Sequence, residues 1–153
     1  MKSTPDSHDP DWPRYAETVL IFSTVPPLEI DLRAVVTAEA ALALAAAGLE
    51  APFAVITAFD PRGENLSAGE NRHRQRRLES RITENGYEFT TVDCCSPDRS
   101  HCECSVAVTM PRDEALALAR ELEQVAIFWF DGRSFWIMGA ILETDPLMLP
   151  RSS

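Results

Sequence analysis

Residues 53–82, FAVITAFDPRGENLSAGENRHRQRRLESRI, constrain this chain most. Phe53 to Phe59 is a β-branched and aromatic run between Pro52 and Asp60-Pro61, the pattern of a strand covered on both faces. Ser67 followed by Glu70 is a capping box, so a helix begins there. Strand, polar loop and helix start in that order make a common binding-site layout in α/β proteins.

The helix that follows is expected over Ser67–Asn85, with Gly86 as its terminator. Leu78 and Ile82 are its only large aliphatic residues, and stepping back along the same stripe gives Gln75, Arg74 and Asn71. A helix built only for packing would carry aliphatic residues there, because a buried amide without a partner costs about 1–3 kcal/mol. The stripe therefore predicts a wet or ligand-filled cleft opposite Asn71 and Gln75.

The remaining elements are weaker signals of the same kinds. Strands are expected over Tyr15–Phe22, Leu28–Leu32, Tyr87–Val92, Ser105–Thr109, Val125–Phe130 and Phe135–Leu142. Asp131-Gly132 marks a hairpin between the last two. Helices are expected at Thr37–Ala47, closed by Gly48, and at Pro111–Glu123. This order predicts a single α/β (α+β) domain, residues 14–144, with a mixed β-sheet, about three packed helices and a C-terminal β-hairpin. Residues 1–13 read as a flexible N-terminal tail and 145–153 as an irregular C-terminal one.

Charge and length limit what such a domain does. With 153 residues, 45% of them hydrophobic, the chain is long enough to bury one core without disulfides. A net charge of −10 repels phosphates and argues against nucleic acid as a partner. No apolar run is long enough for a membrane span or a signal peptide, so no membrane association is expected and the chain reads as cytoplasmic. The sequence is silent on oligomeric state. It holds no GxSxG, P-loop, GxGxxG or HExxH pattern, and His8, His73 and His101 lie in separate segments. That disfavours a standard hydrolase, kinase or dehydrogenase, and no catalytic residue is assigned.

Candidate ligand residues gather at the end of the 53–59 strand. Thr57, Asp60, Arg62 and Asn65 on the strand end and loop, with Asn71 on the helix, are expected to converge near the helix N-terminus. Glu103, where a loop enters an apolar strand, is expected to pair with Arg62 or serve as a general base. Gln124 either tidies a loop or points its amide into the same cleft. Ordinary turn and cap chemistry explains Asp60-Pro61 and Asn71 about as well.

The four cysteines fall within Cys94–Cys104. Cys94 or Cys95 with His101, Cys102 and Cys104 offers a set for zinc, although CC and CEC place neighbouring thiols on opposite sides of an extended chain. Reduced thiols are the plainer expectation in a chain without an export signal.

These residues together resemble a bacterial family labelled as a domain of unknown function, family 3293. The resemblance rests on Phe53–Pro61 followed by Glu70-Asn71, then Glu103-Cys104-Ser105, then Gln124–Phe128, within a region from about Tyr15 to Phe130. The family pattern is ITA-aromatic-N-P, then E-N, E-P-S and G-Q-x-A-I. This chain has Asp60 in place of the asparagine, Cys104 of the proline and Glu123 of the glycine. The resemblance implies that Asp60, Asn71, Glu103 and Gln124 are the family's polar motif positions, and it brings no reaction, cofactor or partner.

Three functions are open from the sequence. The first is binding of a small polar or anionic ligand in the cleft. The second is docking of an acidic protein partner on the basic helix 70–81, which carries Arg72, Arg74, Arg76, Arg77 and Arg81. Pairing of those arginines with nearby carboxylates is the alternative for that face. The third is a metal or thiol sensor built on the cysteine segment.

Overall fold

The computed structural model describes residues 12–151. The tail expected over residues 1–13 lies almost wholly outside them. A single turn, α1 (Trp12–Tyr15), leads to β1 (Val19–Phe22) and β2 (Leu28–Asp31). Then come α2 (Ala38–Ala46), β3 (Phe53–Thr57), α3 (Ala68–Glu84), β4 (Thr90–Cys95) and β5 (Cys102–Val108). The chain ends through α4 (Arg112–Glu121), β6 (Ala126–Phe130), β7 (Phe135–Gly139) and β8 (Leu147–Met148).

The caps read from the sequence are in place. Thr37 accepts from the Ala40 amide at the start of α2, and Ser67 accepts from the Glu70 amide at 3.1 Å at the start of α3. Three expectations shift. Tyr15 belongs to a turn instead of a strand, because the Glu17 and Thr18 amides bond back to the Arg14 and Tyr15 carbonyls. The cysteine segment is mostly strand, with Cys95 and Cys102 as direct partners of the β4–β5 ladder. The segment after Asp145 contributes β8, which pairs with β7, and Leu149 is buried.

All eight strands form one curled sheet, a half-barrel, in the order β2-β1-β4-β5-β3-β6-β7-β8. Every pairing in it is antiparallel, where a mixture was expected. The reason lies in where the helical crossovers land. α3 joins β3 to β4, which flank β5, and α4 joins β5 to β6, which flank β3. Each crossover thus connects strands that run the same way but never touch, and a third strand fills the gap with antiparallel bonds. The outermost strands, β2 and β8, have four and two residues.

The sheet has a core on each face, and the period of two decides which residue goes where. On the convex face Ala54, Ile56, Val106, Val108 and Trp129 pack under Leu78 and Ile82 of α3 and Ala115, Leu118 and Ala119 of α4. On the concave face Phe53, Val55, Val92, Phe130, Phe135 and Ile137 join Leu20, Phe22 and Leu44 of α2. The rings of Phe53, Phe130 and Phe135 stack there with centroids 4.6–6.0 Å apart. α2 covers only part of the concave face, and the open part is the site.

Candidate functional site

A cavity of about 850 Å³ occupies the uncovered end of the concave face. Its floor is Val55, Phe128 and Ile137 from β3, β6 and β7, with Thr57, Ser105 and Cys94 beside them. The register explains this row, since Cys94 faces Glu103, Ser105 faces Thr57, Val55 faces Phe128 and Phe128 faces Ile137. Arg14, Tyr15, Glu17 and Thr18 form one wall, and the 95–101 hairpin and the 59–65 loop form the rim.

The polar groups beside the floor are held by their own hydrogen bonds. The Thr57 hydroxyl donates to the Cys104 carbonyl at 2.8 Å and accepts from the Phe59 amide at 3.0 Å. Ser105 is 1% exposed, and its hydroxyl receives the Cys94 thiol at 3.3 Å. Burial pushes the Cys94 thiol up to about 12, with the Ser105 hydrogen bond acting weakly the other way. Cys94 is therefore a neutral thiol at physiological pH and a poor nucleophile.

Five of the seven predicted ligand residues line the cavity: Thr57, Asp60, Asn65, Glu103 and Gln124. Asn71 and Arg62 do not. Asn71 lies on the buried face of α3 and is 6% exposed. Its carboxamide accepts from the Asp60 amide at 2.9 Å and donates to Asp60 Oδ1 at 2.9 Å. Arg74 donates to the carbonyls of Ala58, at 2.7 Å, and Leu122. Gln124 donates to the Phe59 carbonyl at 3.0 Å. The polar stripe of α3 therefore serves the backbone of the loop after β3, which leaves the sheet and needs partners for its carbonyls and amides. Gln75, also buried, leans on Glu79 at 3.4 Å and leaves its Oε1 without a partner.

Arg62 is likewise occupied elsewhere. Its amide donates to the Glu123 carbonyl at 2.7 Å, and its guanidinium pairs with Glu123 and Glu64. These contacts hold Arg62 at φ 55°, in the left-handed region that costs most residues free energy. The expected Arg62–Glu103 pair is absent; Glu103 instead meets His101 Nε2 at 3.1 Å. The first turn of α3 is filled by Ser67 and by Glu70, whose carboxylate accepts from the Ser67 hydroxyl at 2.9 Å. An anion is thus not drawn to it, and the expected meeting of Arg62, Asn71 and the helix start does not form.

The cysteine set is also rearranged. Cys95 and Cys102 form a disulfide, which removes both from the zinc set and corrects the expectation of four reduced thiols. Cys94 and Cys104 are free, but Cys94 pairs with Glu103 while Cys104 pairs with Asp93, so the two thiols stand on opposite faces of the sheet. His101 stays at the rim without a thiol set around it. The disulfide closes the hairpin over Ser96–His101, whose turn is organised by Asp98. Hydrogen bonds from the Ser100 amide and the Ser100 and Ser96 hydroxyls lower the Asp98 carboxyl to about 2.

Ser105, Tyr15, Phe128 and Ile137 are cavity residues that the sequence reading did not single out. The signal for Ser105, Phe128 and Ile137 is strand alternation; Tyr15, in the turn before β1, carries no such signal. Val55 and Thr57 share one face, and the partner of each across the ladder shares it too. In β3 that signal is hidden because both faces are apolar.

The molecule is thus an α+β half-barrel with a ligand-sized cavity on its concave face. Residues 56–127 match the family model described as "Protein of unknown function (DUF3293)", so the resemblance read from the motifs is shown over that segment. The match spans Thr57, Asp60, Asn71, Glu103 and Gln124. Neither the curated proteins nor the solved structures contain a match to the chain. Among the described residues no helix is long and apolar enough to cross a membrane.

Proposed function

We propose that the concave cavity binds a small polar molecule, held by an apolar floor and an acidic rim. The observation that carries this is the cavity itself: about 850 Å³ falls within the roughly 300–1,000 Å³ of small-molecule sites. Its composition fits as well, with aliphatic and aromatic side chains below and a few fixed polar groups above. The rim bears Glu17, Asp60, Asp98 and Glu103 against Arg14 and His101. That balance favours a ligand with a positive or donor-rich group over an anion.

A thermal-shift screen of small amines and polyhydroxylated compounds tests this, with Ala126→Phe as the comparison. Ala126 lines the cavity on β6, so a phenyl ring there fills space without touching the hydrogen bonds of α3. Stabilisation of the native protein that disappears in the variant is the expected result. Equal shifts in both proteins reject the cavity as the site.

A further inference from the structure

We propose that the cavity rim is a binding site for one divalent transition-metal ion, held by Asp60, His101 and Glu103. The proposal deepens the preceding reading, since it names the positive group that the acidic rim takes.

Each ligand atom has a structural reason to be there. β3 and β5 are antiparallel, with Thr57 opposite Ser105. β3 ends at Thr57 and the chain then turns out of the sheet, with Asp60 at φ 45°, which brings its carboxylate close to His101 and Glu103 at the start of β5. His101 and Glu103 are two apart in an extended chain, so they share a face, and that face is the concave one that carries Ser105 and Thr57. The disulfide at Cys95 and Cys102 ties down the strand between them.

The distances suit a metal. One nitrogen of His101 and one carboxylate oxygen each from Asp60 and Glu103 all lie within 4.8 Å of one another. His101 Nε2 and the Glu103 carboxylate are 3.1 Å apart. Two ligands about 2.1 Å from an ion at right angles are separated by about 3.0 Å. His101 and Glu103 therefore stand at the spacing of neighbouring ligands, and Asp60, whose oxygen lies within 4.8 Å of both, closes on them by at most about 2 Å to complete a facial set. Imidazole with two carboxylates is a donor set for zinc, manganese, iron or cobalt, and its three positions leave room for solvent or a substrate atom on the cavity side.

Asp60 is also oriented for the role. Its Oδ1 accepts from the Leu66 amide at 3.0 Å and from Asn71 Nδ2 at 2.9 Å. The carboxylate is thereby fixed by groups behind it, as metal-binding carboxylates commonly are. This explains why Asn71, which does not reach the cavity, is coupled to a residue that does.

The test uses the full chain, with its disulfide intact and stripped by chelator. Calorimetric titration with zinc, and absorption spectra with cobalt, are recorded for the native protein and for Asp60→Asn, His101→Gln and Glu103→Gln. Asp60→Asn keeps the oxygen that Leu66 and Asn71 use, and His101 is exposed, so these variants fold. One ion per chain is expected, with affinity falling at least about tenfold in each variant. Cys94→Ser and Cys104→Ser should bind as the native protein does. Absence of binding to the native chain overturns the proposal. So does a cobalt spectrum with a thiolate charge-transfer band that the cysteine variants remove. Ala126→Phe separates this proposal from the cavity reading, because it blocks the floor and leaves the rim ligands. Amines that stabilise the native protein alone, with no metal bound, would leave the cavity reading standing and this one refuted.

Discussion

The two faces of the sheet use polar residues in opposite ways. On the convex face Asn71 and Arg74 turn their side chains onto backbone groups of the loop after β3 and of the α4–β6 connection. On the concave face Asp60, His101 and Glu103 line the cavity, with Asp60 Oδ1 held by the Leu66 amide and Asn71 and with His101 meeting Glu103. Buried polarity is therefore a poor guide to function here. A buried amide that finds a carbonyl completes the fold, whereas a half-exposed carboxylate beside a cavity has chemistry left to offer.

Substitutions that separate the faces should differ in what they damage. Arg74→Ala has the largest expected effect, because two carbonyls lose a charged donor; a loss of about 3 kcal/mol in denaturant unfolding is expected, with metal binding retained. An unchanged midpoint would show that water replaces the guanidinium and that the convex network is not structural. Replacing Cys95 and Cys102 together by serine should cost about 2 kcal/mol, by the loop-entropy argument for a short cross-linked loop. It should also weaken zinc binding, since the hairpin that presents His101 is no longer tied; unaltered affinity would place the metal elsewhere.

The Asp98 turn offers a smaller, pH-dependent effect. Its folded carboxyl sits at about 2, below the ordinary 3.8, so its contribution is present above pH ~4 and is lost as pH falls toward 2. A fall in the protection factor of the Ser100 amide over that interval is the expected observation, and Asp98→Asn should abolish the dependence. Asn65→Ala is expected to have the least effect on stability, within about 0.5 kcal/mol, because Asn65 is exposed on the rim. A much larger loss would mean that the rim loop is part of the core.

Much of the fold was legible because local rules and packing agree. Ser67 and Glu70 fix the start of α3, Asp131-Gly132 marks the β6–β7 turn, and Leu78 and Ile82 name the buried stripe. The site was legible only in part. Asn71 and Gln75 lie on the inner side of α3 as expected, but they are buried against protein and not against a cleft, because a helical stripe says nothing about whether ligand, water or backbone lies opposite it. Glu103 was paired with Arg62, whereas it meets His101 two residues away on the same face, and Asp60 comes near both only once the loop after β3 is placed. The cysteines were misassigned as loop thiols since Cys95 and Cys102 face each other only once β4 and β5 are paired.

An arc of strands that stops short of a closed ring leaves two borders where a second molecule can add on. Here both borders are brief and guarded. β2 follows Pro26 and Pro27 and carries Glu29 and Asp31, while β8 sits between Pro146 and Pro150. Proline and charge at those margins deny an incoming strand its backbone bonds. The curved architecture can keep its hollow accessible to solutes without inviting self-assembly along its rims.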